Sequence, residues 1–286
     1  MRKLMKHGKS LWNFGLGMGR KADEDELFAA SNELAYKLLL AFFPFLVFLI
    51  SLLSFFTAED SRLVLLLYET LPDDISALVA RFLEESQLVR SRGLLSAGLL
   101  VSIYSSSNGF RAIIRSVNKA YGQKDTRHWL KQTVLCISLM LLFTFSLIVM
   151  LVLWMFGDAF VGLIRSVVPL SDFIYSVMQW GAMAISWGVL TLTAMIIYRL
   201  ALVPLKNGAR GSFKSFFPGA GLAVAASLIA SEVFGFVIAR FSNFSVLYGS
   251  IAGVFILIIW LNLIAFILLL GNTFNALRKM NKESKE

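Results

Sequence analysis

Hydrophobic residues lie in long unbroken runs along the chain, and short polar segments separate the runs. A membrane-crossing helix needs about 20 mostly apolar residues. Five runs reach that length: Leu38–Phe56, Thr133–Phe156, Ile174–Leu200, Pro218–Phe241 and Ser250–Gly271. The runs do not alternate apolar and polar residues as the strands of a membrane barrel do. Because lipid requires backbone polar groups to be satisfied within helices or closed barrels, the pattern predicts an all-α, polytopic membrane protein.

A sixth run is weaker, because Leu94–Tyr104 leads directly into a polar sequence and is only about 16 Å long as a helix. Basic segments alternate with segments in which acids outnumber bases only if residues 94–110 also cross the membrane. The basic segments are 1–32, 111–131 and 201–217, and the others are 57–92 and 157–173. The positive-inside rule then predicts six transmembrane helices with both termini in the cytoplasm.

The same pattern divides the chain into three parts. We expect a cytoplasmic N-terminal segment, basic and then acidic, over 1–32, a six-helix transmembrane domain over 33–275, and a basic cytoplasmic tail over 276–286. The first outer loop, 57–92, is the largest segment between spans. Its apolar residues recur at helical spacing, which predicts short helices that lie on the membrane surface.

Composition supports a membrane protein and argues against other classes. Hydrophobic residues make up 57% of the chain and charged residues 16%, against about 45–50% and about 25% in soluble domains. Too few charges remain to coat a water-facing surface, which argues against a soluble enzyme or a nucleic-acid-binding domain despite the net charge of +9. The single cysteine, Cys136, excludes an intrachain disulfide, and we expect neither a metal site nor a cofactor.

A polar stripe marks the second predicted helix. Ser105, Asn108, Arg111 and Arg115 follow one another at steps of three or four residues and therefore share one helix face. Two interpretations stand. The stripe lines a water-filled cavity open to the cytoplasm, whose guanidinium groups suit phosphate or carboxylate head groups, or it forms hydrogen bonds between helices beside a basic flank.

Two further ionisable residues lie in a predicted span or at its end, and charges within spans are costly and are functional candidates by default. Glu232 follows Pro218 by 14 residues, about 21 Å of helix. It either serves function or fixes helix packing, with Arg240 as one possible partner. Lys37, near the inner end of the first helix, is a candidate for the same cavity, although an i,i+4 pair with Glu33 and snorkelling to the cytoplasmic interface explain it adequately.

Five short motifs stand in order between about residues 25 and 280. Their residues are Tyr36 with Pro44, Asn118 with Tyr121, Pro218 with Gly219, Tyr248 with Gly249, and Gly271 with Asn275. In this order the chain resembles the YihY/BrkB family of bacterial inner-membrane proteins. The resemblance implies six membrane helices in the bacterial cytoplasmic (inner) membrane and no firmly established chemistry. The chain departs from the family's pattern at two positions. Lys37 stands where an aromatic or small residue is expected, and Thr273 stands where the family often has glutamate.

An older label for such proteins is a ribonuclease, and the residues argue against it. Metal-dependent cleavage needs acids or histidines that converge on a cation. The one dense acidic run, residues 23–26, cannot converge from consecutive helix positions. We therefore expect no catalytic residue and no enzyme activity.

Two hypotheses on function remain. The first is a translocator or transporter of a lipid or another anionic amphiphile, which uses the cytoplasm-facing polar cavity. The second is a membrane scaffold that transports nothing. The expected partners are membrane lipids, an anionic substrate, and either a second copy of the chain or another membrane or envelope protein, but not nucleic acid.

Overall fold

A computed structural model describes residues 15–57, 92–167, 172–204, 212–240 and 250–283, and these residues form helices and short connections with no strand among them. The all-α prediction is confirmed for this part of the chain. Most of the outer loop over 57–92, with its predicted surface helices, lies outside the described residues. The long helices are α1 (Leu27–Thr57), α2 (Arg92–Ala120), α3 (Trp129–Val167), α4 (Asp172–Ala201), α5 (Phe217–Arg240) and α6 (Ser250–Glu283).

All the long helices except α5 are longer than the apolar runs that predicted them. The 39-residue α3 extends past both ends of its run, and α6 continues beyond Gly271 as far as Glu283. Polar residues can continue a helix into water, so hydropathy locates the part in lipid rather than the helix ends. The weak sixth run lies within α2, which continues without a break through the serines.

Four stretches of the described residues are long and apolar enough to cross a membrane. They are Trp129–Met150, Met183–Ala201, Phe213–Ile238 and Gly253–Lys282. They belong to α3, α4, α5 and α6 in that order, and the stretch in α5 includes the short 3-10 helix Phe213–Phe216 that leads into it. The chain thus has several membrane-spanning candidates.

The fold divides into two compact units. Unit 1 comprises Met1–Leu39, Gly109–Leu139 and Trp187–Glu286, and unit 2 comprises Leu40–Asn108 and Met140–Ser186. Unit 1 therefore contains the start of α1, the end of α2, the start of α3, the end of α4, and all of α5 and α6. Because it holds most of the candidate residues, the site is described mainly within unit 1.

In unit 1, α5 and α6 lie antiparallel and touch through glycine. A Cβ atom on Gly219 would collide with the carbonyl oxygen of Gly271, and a Cβ on Gly271 would lie 2.8 Å from that of Ala223. Small residues allow such close approach of membrane helices. Elsewhere on α6, Phe266 meets Phe28 of α1 edge-on, with ring centroids 5.8 Å apart.

In unit 2, the serine run satisfies part of its polar groups within its own helix. Ser106 and Ser107 donate their hydroxyls to the carbonyl oxygens of Ile103 and Tyr104, one turn back. This back-bonding is how helices in lipid accommodate serine. A run of serines therefore does not by itself end a membrane helix.

Candidate functional site

Three charged side chains of unit 1 form a bridged cluster between α1 and α2, the charged triad of Glu33, Lys37 and Arg115. The Lys37 ammonium and the Arg115 Nη1 both donate to the same oxygen, Oε1 of Glu33, the arginine at 3.0 Å. The predicted i,i+4 pair of Lys37 with Glu33 is confirmed. One carboxylate thus lies between two cations, and the triad carries a net charge of +1.

The triad is open rather than sealed by packing. The side chains of Arg115 and Glu33 are 63% and 48% exposed, and that of Lys37 is 28% exposed. Ion pairs this exposed contribute little to stability, about 0–1 kcal/mol each. Packing and stability therefore do not account for the presence of these charges.

A second ion pair joins the same two helices where α1 begins and α2 ends. Lys119 donates to Glu26 Oε2 at 2.8 Å, and this hydrogen bond lowers the pKa of the Glu26 carboxyl from its ordinary value. Both side chains are well exposed. This contact aligns the start of α1 with the end of α2, because Glu26 lies beside Lys119 in the last turn of α2.

The charged triad lies farther along both helices, away from the end of α2 and the start of α1. Arg115 precedes Lys119 by four residues, and Glu33 and Lys37 follow Glu26 by seven and eleven residues. At 1.5 Å per residue these offsets are about 6, 10 and 16 Å along the helix axes. The cluster therefore starts near the helix ends and extends about 16 Å along α1, as far as Lys37.

Arg111, one turn before Arg115, makes a different contact. Its Nη2 donates to the hydroxyl of Thr133 on α3 at 2.7 Å, and the side chain is half-buried. Its Nε is buried and has no hydrogen-bond partner among the described residues. The two arginines thus connect α2 to different neighbours, Arg111 to α3 and Arg115 to α1.

Ser105 and Asn108, the other members of the predicted stripe, belong to unit 2. Both are half-buried, and within the described part of the chain neither has a hydrogen bond to another group. Their polar atoms are not among those buried without a partner in that part either. Their polar atoms are therefore partly exposed on unit 2, in contrast to the neighbouring serines that bond to their own helix.

Glu232 is exposed on α5, well inside the helix that begins at Phe217. Its suggested pairing with Arg240 is not formed, since that guanidinium lies over the Phe236 ring, 4.8 Å from the centroid. Of the residues that the structure describes, none forms a hydrogen bond or ion pair with Glu232. The hypothesis that it fixes helix packing has no support in these residues.

Asn118, one of the motif residues, holds the end of α2 to the end of α4. It is 1% exposed, and its Nδ2 donates to the carbonyl oxygens of Ile114 at 2.7 Å and Ala201 at 2.9 Å. Its Oδ1 accepts the backbone N–H of Val203 at 2.8 Å. Both N–H groups of the side-chain amide and one lone pair of its oxygen are used. This motif residue therefore has a structural role, in which it joins the ends of two helices.

Arg127 reinforces the same helix end and was missed from the sequence. Its guanidinium donates to the carbonyl oxygens of Leu200, Ala201 and Leu202 at 2.9–3.0 Å. The last carbonyls of a helix lack intrahelical partners, and a cation there also suits the helix dipole. In the sequence Arg127 was only one of several basic residues in a loop, with no signal that it caps a helix distant along the chain.

The other motif residues are mostly structural too. Asn275 of α6 accepts the Gly219 N–H with Oδ1 at 2.8 Å and donates to the Phe216 carbonyl with Nδ2 at 3.0 Å. The ring of Tyr121 lies against that of Phe216, and burial raises the pKa of its hydroxyl. Gly219 and Gly271 make the close contact of α5 with α6. Pro218 lies in the first turn of α5, Pro44 lies inside α1, and Tyr36 is exposed. Tyr248 and Gly249 lie outside the described residues.

The acidic run at the N-terminal side is engaged in ion pairs. Asp25 pairs with Lys21 at 2.9 Å, and Glu26 pairs with Lys119. Over the described residues, no three histidine, cysteine or acidic side chains come together as a group that could hold a metal ion.

Comparisons with known proteins give the following matches. The family model described as virulence factor BrkB matches residues 18–286. A ribonuclease-like protein of Bacillus subtilis (strain 168), YfkH, is 34% identical over 253 residues, which cover 88% of this chain and 90% of that protein. UPF0761 membrane proteins of Xanthomonas campestris pv. campestris (strain B100) and Xanthomonas axonopodis pv. citri (strain 306) are 26% identical, over 91% of this chain and 59% of theirs. No solved structure matches the chain.

Proposed function

Because the chain belongs to the BrkB family, as its motifs indicated, and has the apolar helices of a membrane protein, we propose that it binds a membrane lipid or another anionic amphiphile and moves it across the bacterial inner membrane. The charged triad of Glu33, Lys37 and Arg115 is the head-group site. This proposal concerns the segment that this chain shares with its relatives. It spans 59% of the Xanthomonas proteins, and nothing of their remaining length is assigned to it.

The observation that carries the proposal is the position of exposed charges inward of the helix ends. Charged side chains in or beside a membrane span are costly unless they face water, a protein partner or an anionic ligand. Ion pairing within the triad offsets only part of that cost, because each pair is still open to its surroundings. A hydrated opening on the face formed by α1 and α2 would accommodate both the charges and a polar head group.

Ser105 and Asn108 lie on the part of α2 that belongs to unit 2, where both are half-buried and make no hydrogen bond within the described residues. An unsatisfied hydroxyl or amide in hydrocarbon costs several kcal/mol. Under this proposal water satisfies both groups on the surface of unit 2. In unit 1, Arg111 and Arg115 of α2 line the cavity together with Lys37 of α1, and Glu232 of α5 is a further ionisable residue within an apolar helix.

The proposal includes six transmembrane helices with both termini in the cytoplasm. It is tested with single cysteines in a Cys136→Ala background, placed at the exposed positions Lys124, Lys214 and Lys282. All three should react with a membrane-impermeant thiol reagent only after the cytoplasmic side is opened. Labelling of the Lys124→Cys protein from outside intact cells would overturn the six-helix arrangement.

Function is tested with purified protein in vesicles that contain a fluorescent phosphatidylglycerol and an impermeant quencher outside. Wild-type protein should accelerate the exchange of this lipid between leaflets. Arg115→Gln should slow the exchange at least about tenfold, because a hydrogen bond to a charged group contributes about 1.5–3 kcal/mol. Lys119→Gln, which removes another exposed cation near the helix ends, is the matched control and should leave the rate within about twofold.

The main alternative is the scaffold hypothesis, and the same assay addresses it. If wild-type vesicles exchange the lipid no faster than protein-free vesicles, and replacing the fluorescent lipid by other anionic amphiphiles changes nothing, the protein does not translocate such molecules.

We also propose that the chain is not a ribonuclease, although one relative's name contains that word. Cleavage of RNA by the purified protein, abolished by a substitution within residues 23–26, would contradict this.

A further inference from the structure

Glu33 occupies the position between two cations that a phosphate group of a ligand would take. Both donors reach the same carboxylate oxygen, Lys37 from one turn along α1 and Arg115 from α2. An oxygen that accepts hydrogen bonds from an ammonium and a guanidinium at once is the geometry in which proteins hold phosphate and carboxylate anions. The carboxylate of Glu33 is thus an anionic group held by both cations on this face.

We infer that Glu33 is a built-in competitor for this site. In the resting state its carboxylate neutralises one of the two cations, and a phosphate-bearing head group binds by displacing it from Lys37 and Arg115. This inference rests on the proposed function, and it adds the class of ligand, a phosphate group, and the means by which the empty site is kept closed.

The exposure of the three side chains makes the exchange feasible. Glu33 is about half exposed and carries its carboxylate on a flexible side chain, so it can rotate into water without moving a helix. Among the described residues, Arg115 makes no hydrogen bond or ion pair except with Glu33. Its remaining N–H donors are therefore available to a phosphate, which has more acceptor oxygens than a carboxylate.

The neighbouring pair of Glu26 with Lys119 supplies the comparison. It joins the same two helices with a bond of similar length, but it holds one cation rather than two and lies at the helix ends. A phosphate that displaced Glu26 would meet a single lysine. The site is therefore specific to the triad, and substitutions of Glu26 control for a general change in net charge.

The test is the binding of phosphate to full-length protein, in two arms. One arm measures inorganic phosphate with protein in detergent, and the other measures phosphatidylglycerol with protein in phosphatidylcholine nanodiscs. Glu33→Gln should tighten binding about two- to tenfold, because each exposed ion pair contributes about 0.2–1 kcal/mol and tenfold corresponds to about 1.4 kcal/mol. Glu26→Gln should change binding by less than about 1.5-fold. Arg115→Gln combined with Glu33→Gln should abolish the gain.

The arms also identify the source of the phosphate. A gain in the nanodisc arm alone assigns the site to a lipid head group, a gain with inorganic phosphate alone assigns it to a soluble phosphate, and a gain in both assigns it to the phosphate group itself. Each of these outcomes supports a competing Glu33. Unchanged or weaker binding of the Glu33→Gln protein in both arms, or an equal gain in the Glu26→Gln protein, overturns it.

Failure of this inference differs from failure of the proposed function. If wild-type protein exchanges phosphatidylglycerol between leaflets while Glu33→Gln leaves binding unchanged, only the competitor role is wrong. If Glu33→Gln tightens binding but neither protein exchanges lipid, the site binds phosphate without translocation. Retention of the wild-type thermal unfolding temperature by Glu33→Gln and by Glu33→Ala verifies that the binding results come from folded protein.

Discussion

Replacing Asn118 by alanine should destabilise the protein more than any exposed substitution nearby. The side chain bridges the ends of α2 and α4 through hydrogen bonds to Ala201 and Val203. Its third bond goes to Ile114, in its own helix. The substitution removes all three bonds from a position that is 1% exposed, and the small alanine side chain cannot replace them.

The magnitude follows from which groups lose their partners. The carbonyl of Ala201 keeps a hydrogen bond from Arg127 at 3.0 Å, so it remains satisfied. The N–H of Val203, a residue that is 5% exposed, loses the partner that Asn118 provided. A buried donor without a partner costs about 1–3 kcal/mol, and the lost bond to Ala201 adds about 1 kcal/mol. We expect a loss of about 2–4 kcal/mol in the free energy of unfolding.

The measurement is unfolding of the purified protein by a denaturing detergent in mixed micelles, followed by helix content. Lys119→Ala is the matched control, because it removes the next side chain on the same helix, which is exposed and paired only at the surface. It should shift the unfolding midpoint little, since exposed ion pairs add little to stability. If Asn118→Ala and Lys119→Ala shift the midpoint equally, Asn118 does not fasten these helices and the structural assignment of the motif is wrong.

Two further substitutions test the packing of unit 1 by the same unfolding measurement. Gly271→Ala should destabilise the protein by about 1–3 kcal/mol through overpacking against α5, whereas Gly253→Ala, at which an added Cβ meets no atom within 4 Å, should not. Arg127→Gln should destabilise it by about 1.5–3 kcal/mol, because it withdraws charged donors from three carbonyl oxygens at the end of α4. If Gly271→Ala leaves the unfolding midpoint at the wild-type value, the close contact of α6 with α5 is wrong. If Arg127→Gln does so, the hydrogen bonds of Arg127 at the end of α4 are wrong.

The helices could be predicted from the sequence because hydropathy acts locally. Each long apolar run falls within one helix of the described chain, apart from the terminal Phe241, which lies outside it. Even the doubtful run before Ser105 belongs to a continuous helix, α2. The helix ends were less accessible to sequence reasoning. They depend on caps such as Arg127, whose partners are distant in sequence.

The contacts of the site were predicted only where they are local. The pair of Glu33 and Lys37 could be predicted because its members are one helical turn apart. The third member, Arg115, is 82 residues from Glu33. The steps of three and four residues that lead to Arg115 predicted which face of α2 it shares, but they do not determine which helix contacts that face. The same limit applies to Glu232, whose depth follows from counting residues but whose neighbours do not.

The residues that identify the family differ in physical role from those proposed to bind the ligand. Asn118, Gly219, Gly271 and Asn275 are buried, and each fastens one helix to another. Any protein with this packing needs them, whatever it transports or holds. The charged triad is exposed and contributes little to folding, so substitutions there are tolerated by the fold and alter the chemistry of the face formed by α1 and α2. It follows that the motifs identify the architecture, while substitutions of Glu33, Lys37 and Arg115 test the proposed ligand site in a protein that still folds.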